Sequence, residues 1–448
     1  MYSPSELTTP AEIDATFRRV FWRIIPLLII CYILAFVDRA NVGFAKLQFM
    51  GDLHFSEAVF GFGGGLFYLG YSLFEVPSNL ILARVGARIT LLRIMILWGA
   101  CSAALAFMSD PLHYYGLRFL LGAAEAGFFP GVLFYLTTWI PVSRRARFTA
   151  MFMAAIGISG IIGGPISGAV MHGLEGALEL RGWQWMFLLE GLPACLMGVV
   201  AYCVLADSPA GAKWLSSRQK EVIQAELVAE ANDQQMHRHH SFAAALFDPR
   251  FYVLVGMSAG MIAGGAGIFL WLPTMIKQSG ISNVSHIGWL SSLPFIVAIV
   301  AQQVWARHSD KTGERRWHAA LPALLSGLGW LLVPTVQTSV VLSMLVLTLM
   351  ATGYLCAMGP FWTMPALYLS GSAAAGGIAL ITTTGSLAAF FAPSLVGWLA
   401  TNTGSLAYGQ YFYGLLMVGG ALILLAGTRP ATIPVAASAP RAESGVAT

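Results

Sequence analysis

Twelve long apolar stretches separated by short polar ones leave this 448-residue chain few ways to fold. They lie at 24–45, 57–80, 89–108, 112–139, 148–172, 184–206, 250–277, 287–306, 319–336, 341–367, 374–400 and 406–427. A helix crossing the hydrocarbon core of a bilayer needs about 20 apolar residues, and a tilted one needs more. In lipid a backbone can satisfy its own N–H and C=O groups only as a helix or a closed barrel, and runs of this length and continuity predict helices. The expected fold is therefore an all-α membrane protein of twelve transmembrane helices. Composition agrees, with 57% hydrophobic and 10% charged residues, where soluble domains carry about 25% charged. This excludes a soluble enzyme, a disordered chain and a nucleic-acid partner; a net charge of +4 is too small and too scattered for the last.

The basic residues orient the spans. With the N-terminus inside, 20 of the 25 Lys and Arg fall in cytoplasmic segments. Lys46, Arg181 and Lys277 fall in outer loops, and Arg39 and Arg118 fall inside spans. The positive-inside rule requires such a split, so both termini are expected in the cytoplasm of a cell whose inner membrane holds the protein. The polar first residues, with Glu6, Glu12 and Asp14, do not read as a cleavable leader. Cys31, Cys101, Cys195, Cys203 and Cys356 all sit in apolar runs without CxxC spacing, as reduced packing residues do.

Residues 207–248 form the longest connection and divide the chain into a six-helix bundle at 1–206 and a second at 249–428. Asp207-Ser208-Pro209 reads as a helix start, followed by a polar stretch through Asp233. The His237-Arg238-His239-His240 cluster, interleaved with Arg, reads as solvated rather than metal-binding, and 429–448 as a disordered cytoplasmic tail. An internal repeat supports the division. After the second span stands Arg84-Val85-Gly86-Ala87-Arg88, and after the eighth stands Lys311-Thr312-Gly313-Glu314-Arg315. Two similar halves in one chain form a recognised transporter architecture.

These loops resemble the signature of the major facilitator superfamily. Further stretches are similar to its anion:cation symporter family: Asp38-Arg39-Ala40-Asn41-Val42-Gly43-Phe44-Ala45, Glu75-Val76-Pro77-Ser78-Asn79, Ala124-Glu125-Ala126-Gly127-Phe128-Phe129-Pro130-Gly131, Gly182-Trp183-Gln184-Trp185 and His308-Ser309-Asp310. The resemblance implies two pseudo-symmetric bundles with spans 1, 4, 7 and 10 lining a central cavity. It also implies inward carriage of organic anions such as phthalate, tartrate, galactonate or hydroxyphenylacetate with protons, by a monomer without metal or cofactor. The region from Glu314 to Leu332 looks closest to the hydroxyphenylacetate permeases. Many family members have Asn where Thr382 and Ser386 stand here, which favours an aromatic or less hydroxylated acid over a sugar acid.

Charges point the same way without the family. An ionisable residue at mid-bilayer costs several kcal/mol and persists only if paired or facing water. The candidates are Asp38, Arg39, Glu75, Arg118, Glu125 and Glu190, all in the first half, and no Asp, Glu, Lys or Arg occurs from Trp317 to Thr428. Asp38 and Glu125 are expected to carry the coupled protons. Burial favours a neutral carboxyl and a nearby Arg favours the ionised one, so each group can change state as the cavity turns. Arg39 and Arg118 suit an anionic substrate, because the guanidinium fork matches a carboxylate with two bonds. These four would meet around one water-filled space, whereas Glu75 and Glu190 read as structural.

Tyr71, Trp362 and Thr382 are expected to complete the substrate site. Trp362 sits where Gly359-Pro360 and Pro365 should break the tenth span. The loops with Arg84, Gly86, Arg88, Asp310, Gly313, Arg315 and Arg316 are expected to latch the cytoplasmic face. Gly160 to Gly168 in the fifth span resembles a motif of drug-exporting antiporters, though close helix packing through small residues explains it equally. Proton-driven export of organic or drug-like compounds is thus the alternative function. No phosphate loop supports ATP-driven pumping, and no catalytic set is grouped at one membrane face.

Overall fold

A computed structural model describes residues 9–235, 248–365 and 372–428. Among them twelve helices are long and apolar enough to cross a membrane. Spans 1 to 6 are Pro10–Asp52, Glu57–Val85, Ala87–Phe107, Pro111–Thr137, Met151–Gly173 and Gly182–Val204. Spans 7 to 12 are Pro249–Gln278, Val284–Thr312, Arg316–Val336, Val340–Thr363, Gly377–Thr403 and Ala407–Gly427. They match the expected stretches one for one, and no strand forms among the described residues. Spans 4 and 7 begin on an Asp-Pro pair, where the carboxylate takes the first orphan N–H groups and proline needs none. Asp110 accepts from Leu112 at 2.9 Å and His113 at 3.1 Å, and Asp248 accepts from Arg250 at 2.9 Å.

The two halves repeat in three dimensions. Span 1 packs on spans 5 and 6, span 3 on spans 4 and 6, and span 2 on span 4. The same pairings recur six spans later, as 7 on 11 and 12, 9 on 10 and 12, and 8 on 10. The halves meet through the pairs 2–11, 5–8 and 1–7. The contacts that join them gather at the face opposite the termini: Ala58 N–H donates to Thr401 Oγ1 at 2.8 Å, and Gly164 and Gly288 bring spans 5 and 8 backbone to backbone. Large apolar side chains such as Trp22, Leu73, Leu196, Val300 and Leu345 point outward, as a lipid-facing surface requires.

Two spans depart from expectation. Span 4 is broken: one helix ends at Glu125, Gly127 takes a left-handed conformation (φ 85°), and a second helix resumes at Phe128. A side chain at Gly127 would be strained, and its Cβ would stand 2.5 Å from Ser78 Oγ. Span 10, expected to break at Gly359-Pro360, instead runs helical through Pro360 to Thr363. Proline inside a membrane helix is tolerated where neighbouring helices absorb the freed carbonyl.

The linker also differs. Its helix spans Ser217–Gln235 rather than starting at Pro209. Ser216 and Gln219 cap each other, with two bonds of 3.2 Å, while Asp207 is spent elsewhere and accepts the Arg88 N–H at 3.0 Å. The helix is fastened to span 1 by Arg218 and Glu12, 3.0 Å apart. The His237–His240 cluster and the tail from residue 429 lie outside the described residues.

Gly86 (φ 87°) and Gly313 (φ 66°) end spans 2 and 8 at equivalent points of the repeat. The latch residues around them hold their own halves. Arg88 donates to the Tyr202 carbonyl at the end of span 6, at 2.8 and 3.0 Å, and Arg316 donates to the Leu425 carbonyl at the end of span 12. Arg315 pairs with Asp310 at 2.7 Å, and Arg84 is exposed.

Candidate functional site

Asp38 and Arg39 are adjacent on span 1, so their side chains leave the helix roughly 100° apart. That angle splits the expected single constellation into two clusters. Arg39 turns toward span 4, where its Nε donates to Glu125 Oε1 at 2.7 Å and its Nη2 reaches the same oxygen. The other oxygen, Oε2, is buried without a partner. The guanidinium lies over three rings, Phe36 at 4.8 Å, Tyr71 at 5.3 Å and Phe67 at 5.4 Å. Such rings favour a cation while excluding water that would screen the pair.

Arg118, two turns before Glu125, is buried in the same region. Its Nε approaches the Gly63 carbonyl at 3.4 Å, its guanidinium lies 5.0 Å from the Phe67 ring, and its Nη1 has no partner. A buried guanidinium with a free donor has capacity for one more hydrogen-bond acceptor. Tyr32, Tyr68, Tyr71 and Tyr354 all lie close enough to act electrostatically on Arg39, and so does Glu75. Sequence reasoning missed Tyr32 and Tyr68 as parts of the site. For Tyr68 the signal was present on span 2, where Tyr68, Tyr71 and Glu75 recur at i, i+3 and i+7 on one helix face.

Asp38 faces away from this group, into the first bundle. It accepts from Trp98 Nε1 at 2.8 Å, from Asn41 Nδ2 at 2.9 Å and from the Ser102 hydroxyl. Glu190 of span 6 lies nearby, bonded to Ser167 of span 5 at 2.7 Å. Arg118 still acts on Asp38 electrostatically, so the clusters are distinct but coupled.

The second half supplies no charge to either cluster. Thr382 donates to the Ile378 carbonyl of its own helix at 2.8 Å, and the Trp362 ring packs edge-on against Phe361 at 5.1 Å. Neither hydrogen-bonds to the Arg39–Glu125 pair. Trp362 stands in the last turn of span 10, because the helix continues past the expected break.

Lys46, assigned from the sequence to an outer loop, belongs to span 1, whose helix continues to Asp52. It is buried, with its Nζ 2.8 Å from Glu57 Oε2 and 4.2 Å from the Trp271 ring of span 7. This places a cation across the seam between the halves.

Twelve spans in two repeated bundles around a buried ion pair define a multi-pass membrane carrier rather than an enzyme. The family model of the Major Facilitator Superfamily matches residues 28–393 and 283–448, and the chain belongs to that superfamily. A protein of Agrobacterium vitis named for tartrate transport is 47% identical over 92% of this chain and 95% of its own length. A protein of Acinetobacter baumannii named for quinolone resistance is 39% identical over 91% and 93%. The crystal structure of a D-xylose-proton symporter superposes with a TM-score of 0.73 at 15% identity, covering 91% of this chain and 98% of that one. The last likeness concerns the fold alone.

Proposed function

We propose that the protein is a proton-coupled importer of a small organic carboxylate, working by alternating access as a monomer with both termini in the cytoplasm. The observation that carries this reading is the Arg39–Glu125 pair beside the unpartnered Nη1 of Arg118. Protonating Glu125 removes the counter-ion of Arg39, whose fork then offers two bonds to an incoming carboxylate, and Arg118 offers a third. When the proton leaves toward the cytoplasm, Glu125 recaptures Arg39 and expels the anion. Proton and substrate thus favour the same transition, which is the requirement for coupling. The halves at 1–206 and 249–428 rock about this centre, joined by the linker at 207–248. The aromatic cage suits an aromatic acid such as hydroxyphenylacetate or phthalate, while the Agrobacterium relative's name favours tartrate.

The test is uptake of labelled tartrate and of hydroxyphenylacetate into proteoliposomes under an imposed pH gradient. One pH unit is worth about 1.4 kcal/mol per proton, or roughly tenfold accumulation for each proton carried in an electroneutral cycle. Glu125→Gln should keep exchange of internal for external anion and lose accumulation. Accumulation indifferent to the gradient in the unmodified carrier refutes the reading. The Acinetobacter relative favours a second reading, export of drug-like compounds against protons, and the same vesicles would then lose a quinolone when the outside is made acidic.

A further inference from the structure

Asp38 and Glu190, the two carboxyls of the cluster that faces away from Arg39, are unlike in one respect. Asp38 is 1% exposed and takes three donors, as a buried carboxylate must. Glu190 is 5% exposed and has one hydroxyl, Ser167, on Oε1. Its Oε2 is buried with no partner, and Asn41 approaches it without reaching hydrogen-bond geometry. Spans 1, 3 and 5 pack against span 6 here, and Asp38, Asn41 and Ser167 are the groups that act on Glu190, with no cation among them. A carboxylate left with a dry, unpaired oxygen is not sustained inside a bundle, whereas a carboxylic acid is.

We propose that Glu190 is a proton-binding site that exchanges its proton with Asp38 beside Asn41. The amide is suited to the exchange, because its Nδ2 donates to whichever carboxyl is ionised and its Oδ1 accepts from the acid. In this conformation Nδ2 donates to Asp38, which makes Glu190 the acid. When the proton passes from Glu190 to the Asp38 carboxylate, one negative charge remains in the cluster before and after. Counted from the helix ends at the face opposite the termini, at ~1.5 Å per residue, Ser167 lies about 9 Å deep, Glu190 about 12 Å, Asn41 about 16 Å and Asp38 about 21 Å. The polar groups thus descend through the bundle from the face at which the two halves are sealed together. The proposed transfer from Glu190 to Asp38 therefore runs inside the first bundle. The transport reading is needed only for the use made of the proton, not for its binding.

The experiment is infrared difference spectroscopy of the full-length carrier in lipid vesicles on a pH step, without substrate. The unmodified protein should show the carbonyl band of a buried protonated carboxyl, and Glu190→Gln, which keeps volume and the Ser167 bond, should lose it. Asp38→Asn removes the neighbouring negative charge and should move the titration of that band to lower pH. Ser167→Ala should shift the band by freeing its carbonyl. Persistence of an unshifted band in both Glu190→Gln and Ser167→Ala overturns the proposal. Because no substrate is present, that failure is separate from a failure of gradient-driven uptake.

Discussion

The seam between spans 5 and 8 offers the sharpest perturbation. A Cβ placed on Gly164 would stand 2.6 Å from the Gly288 carbonyl oxygen, 3.0 Å from Ser291 Cβ and 3.2 Å from Phe44 Cζ. The nearest neighbour is backbone and cannot swing aside. Ordinary contact begins near 3.4 Å, so the helices must part by up to 0.8 Å at that point. Overpacking of this kind costs about 1–3 kcal/mol, and at about 1.4 kcal/mol per tenfold Gly164→Ala should disfavour the sealed conformation roughly 5- to 150-fold against one in which the seam is open. Ser159 lines the small cavity between the halves with Ala40, Phe44, Phe269 and Ser291 and is 1% exposed, so a cysteine there reports opening. In a background whose five native cysteines are replaced by alanine, an impermeant maleimide applied to the face opposite the termini should label Ser159→Cys at least five times faster when Gly164→Ala is present. Gly419→Ala, whose Cβ would meet nothing within 4 Å, serves as the control and should leave the rate unchanged. Equal labelling of a folded Gly164→Ala protein and the control refutes the view that this contact holds the seam shut.

Two other substitutions address the site and its supports. Arg39→Lys keeps the charge but loses the fork, and since hydrogen bonds to charged groups contribute about 1.5–3 kcal/mol each, carboxylate affinity should fall roughly tenfold or more in a calorimetric titration; unaltered affinity removes Arg39 from direct contact. Glu314 caps span 9 from the loop outside the membrane. Partial burial alone would raise its carboxyl, but the N–H groups of Trp317 (2.7 Å) and His318 (3.1 Å) and the His318 ring outweigh burial and hold it below the usual carboxylate range. A depressed carboxyl contributes stability above that range and loses it as pH falls through the folded-state value, so Glu314→Gln should lower the melting temperature at neutral pH and flatten its decline between about pH 5 and about pH 3. A variant that declines as steeply as the parent protein on acidification contradicts the capping role.

The spans were legible because lipid leaves the backbone one economical solution, and apolar run length reports it directly. What escaped was local. The break after Glu125 depends on a left-handed Gly127 fitted against Ser78 of another span, a contact between residues 49 positions apart that no periodicity announces. The expected break at Pro360 failed for the converse reason, since a proline marks a lost hydrogen bond and not whether neighbours absorb the loss. Lys46 was misplaced because a charge near the end of an apolar run reads as the start of a loop, whereas a lysine stem with Glu57 and the Trp271 ring at its tip remains buried.

The charged residues were found, but their partition was not, although the helical angle between Asp38 and Arg39 already implied it. That partition alters what the two halves must do. The carboxyls and guanidinia buried at mid-span lie in the first half, and from Trp317 to Thr428, through spans 9 to 12, the second half meets them with no Asp, Glu, Lys or Arg. Electrostatic attraction therefore cannot be what draws these spans of the second half against the first. The glycine contacts between spans 5 and 8 and between spans 2 and 11 take that part: Gly61 lies so close to the Pro393 carbonyl that a Cβ would stand 2.2 Å from it. Dispersion between backbones at such distances is lost with a small separation, so it acts over a short range and releases completely. A contact of that kind can alternate between joined and parted states without breaking a buried ion pair each time. Under the proposed mechanism, titration is thereby left to the first half, where Glu125, Asp38 and Glu190 would change charge within a bundle whose internal packing need not open.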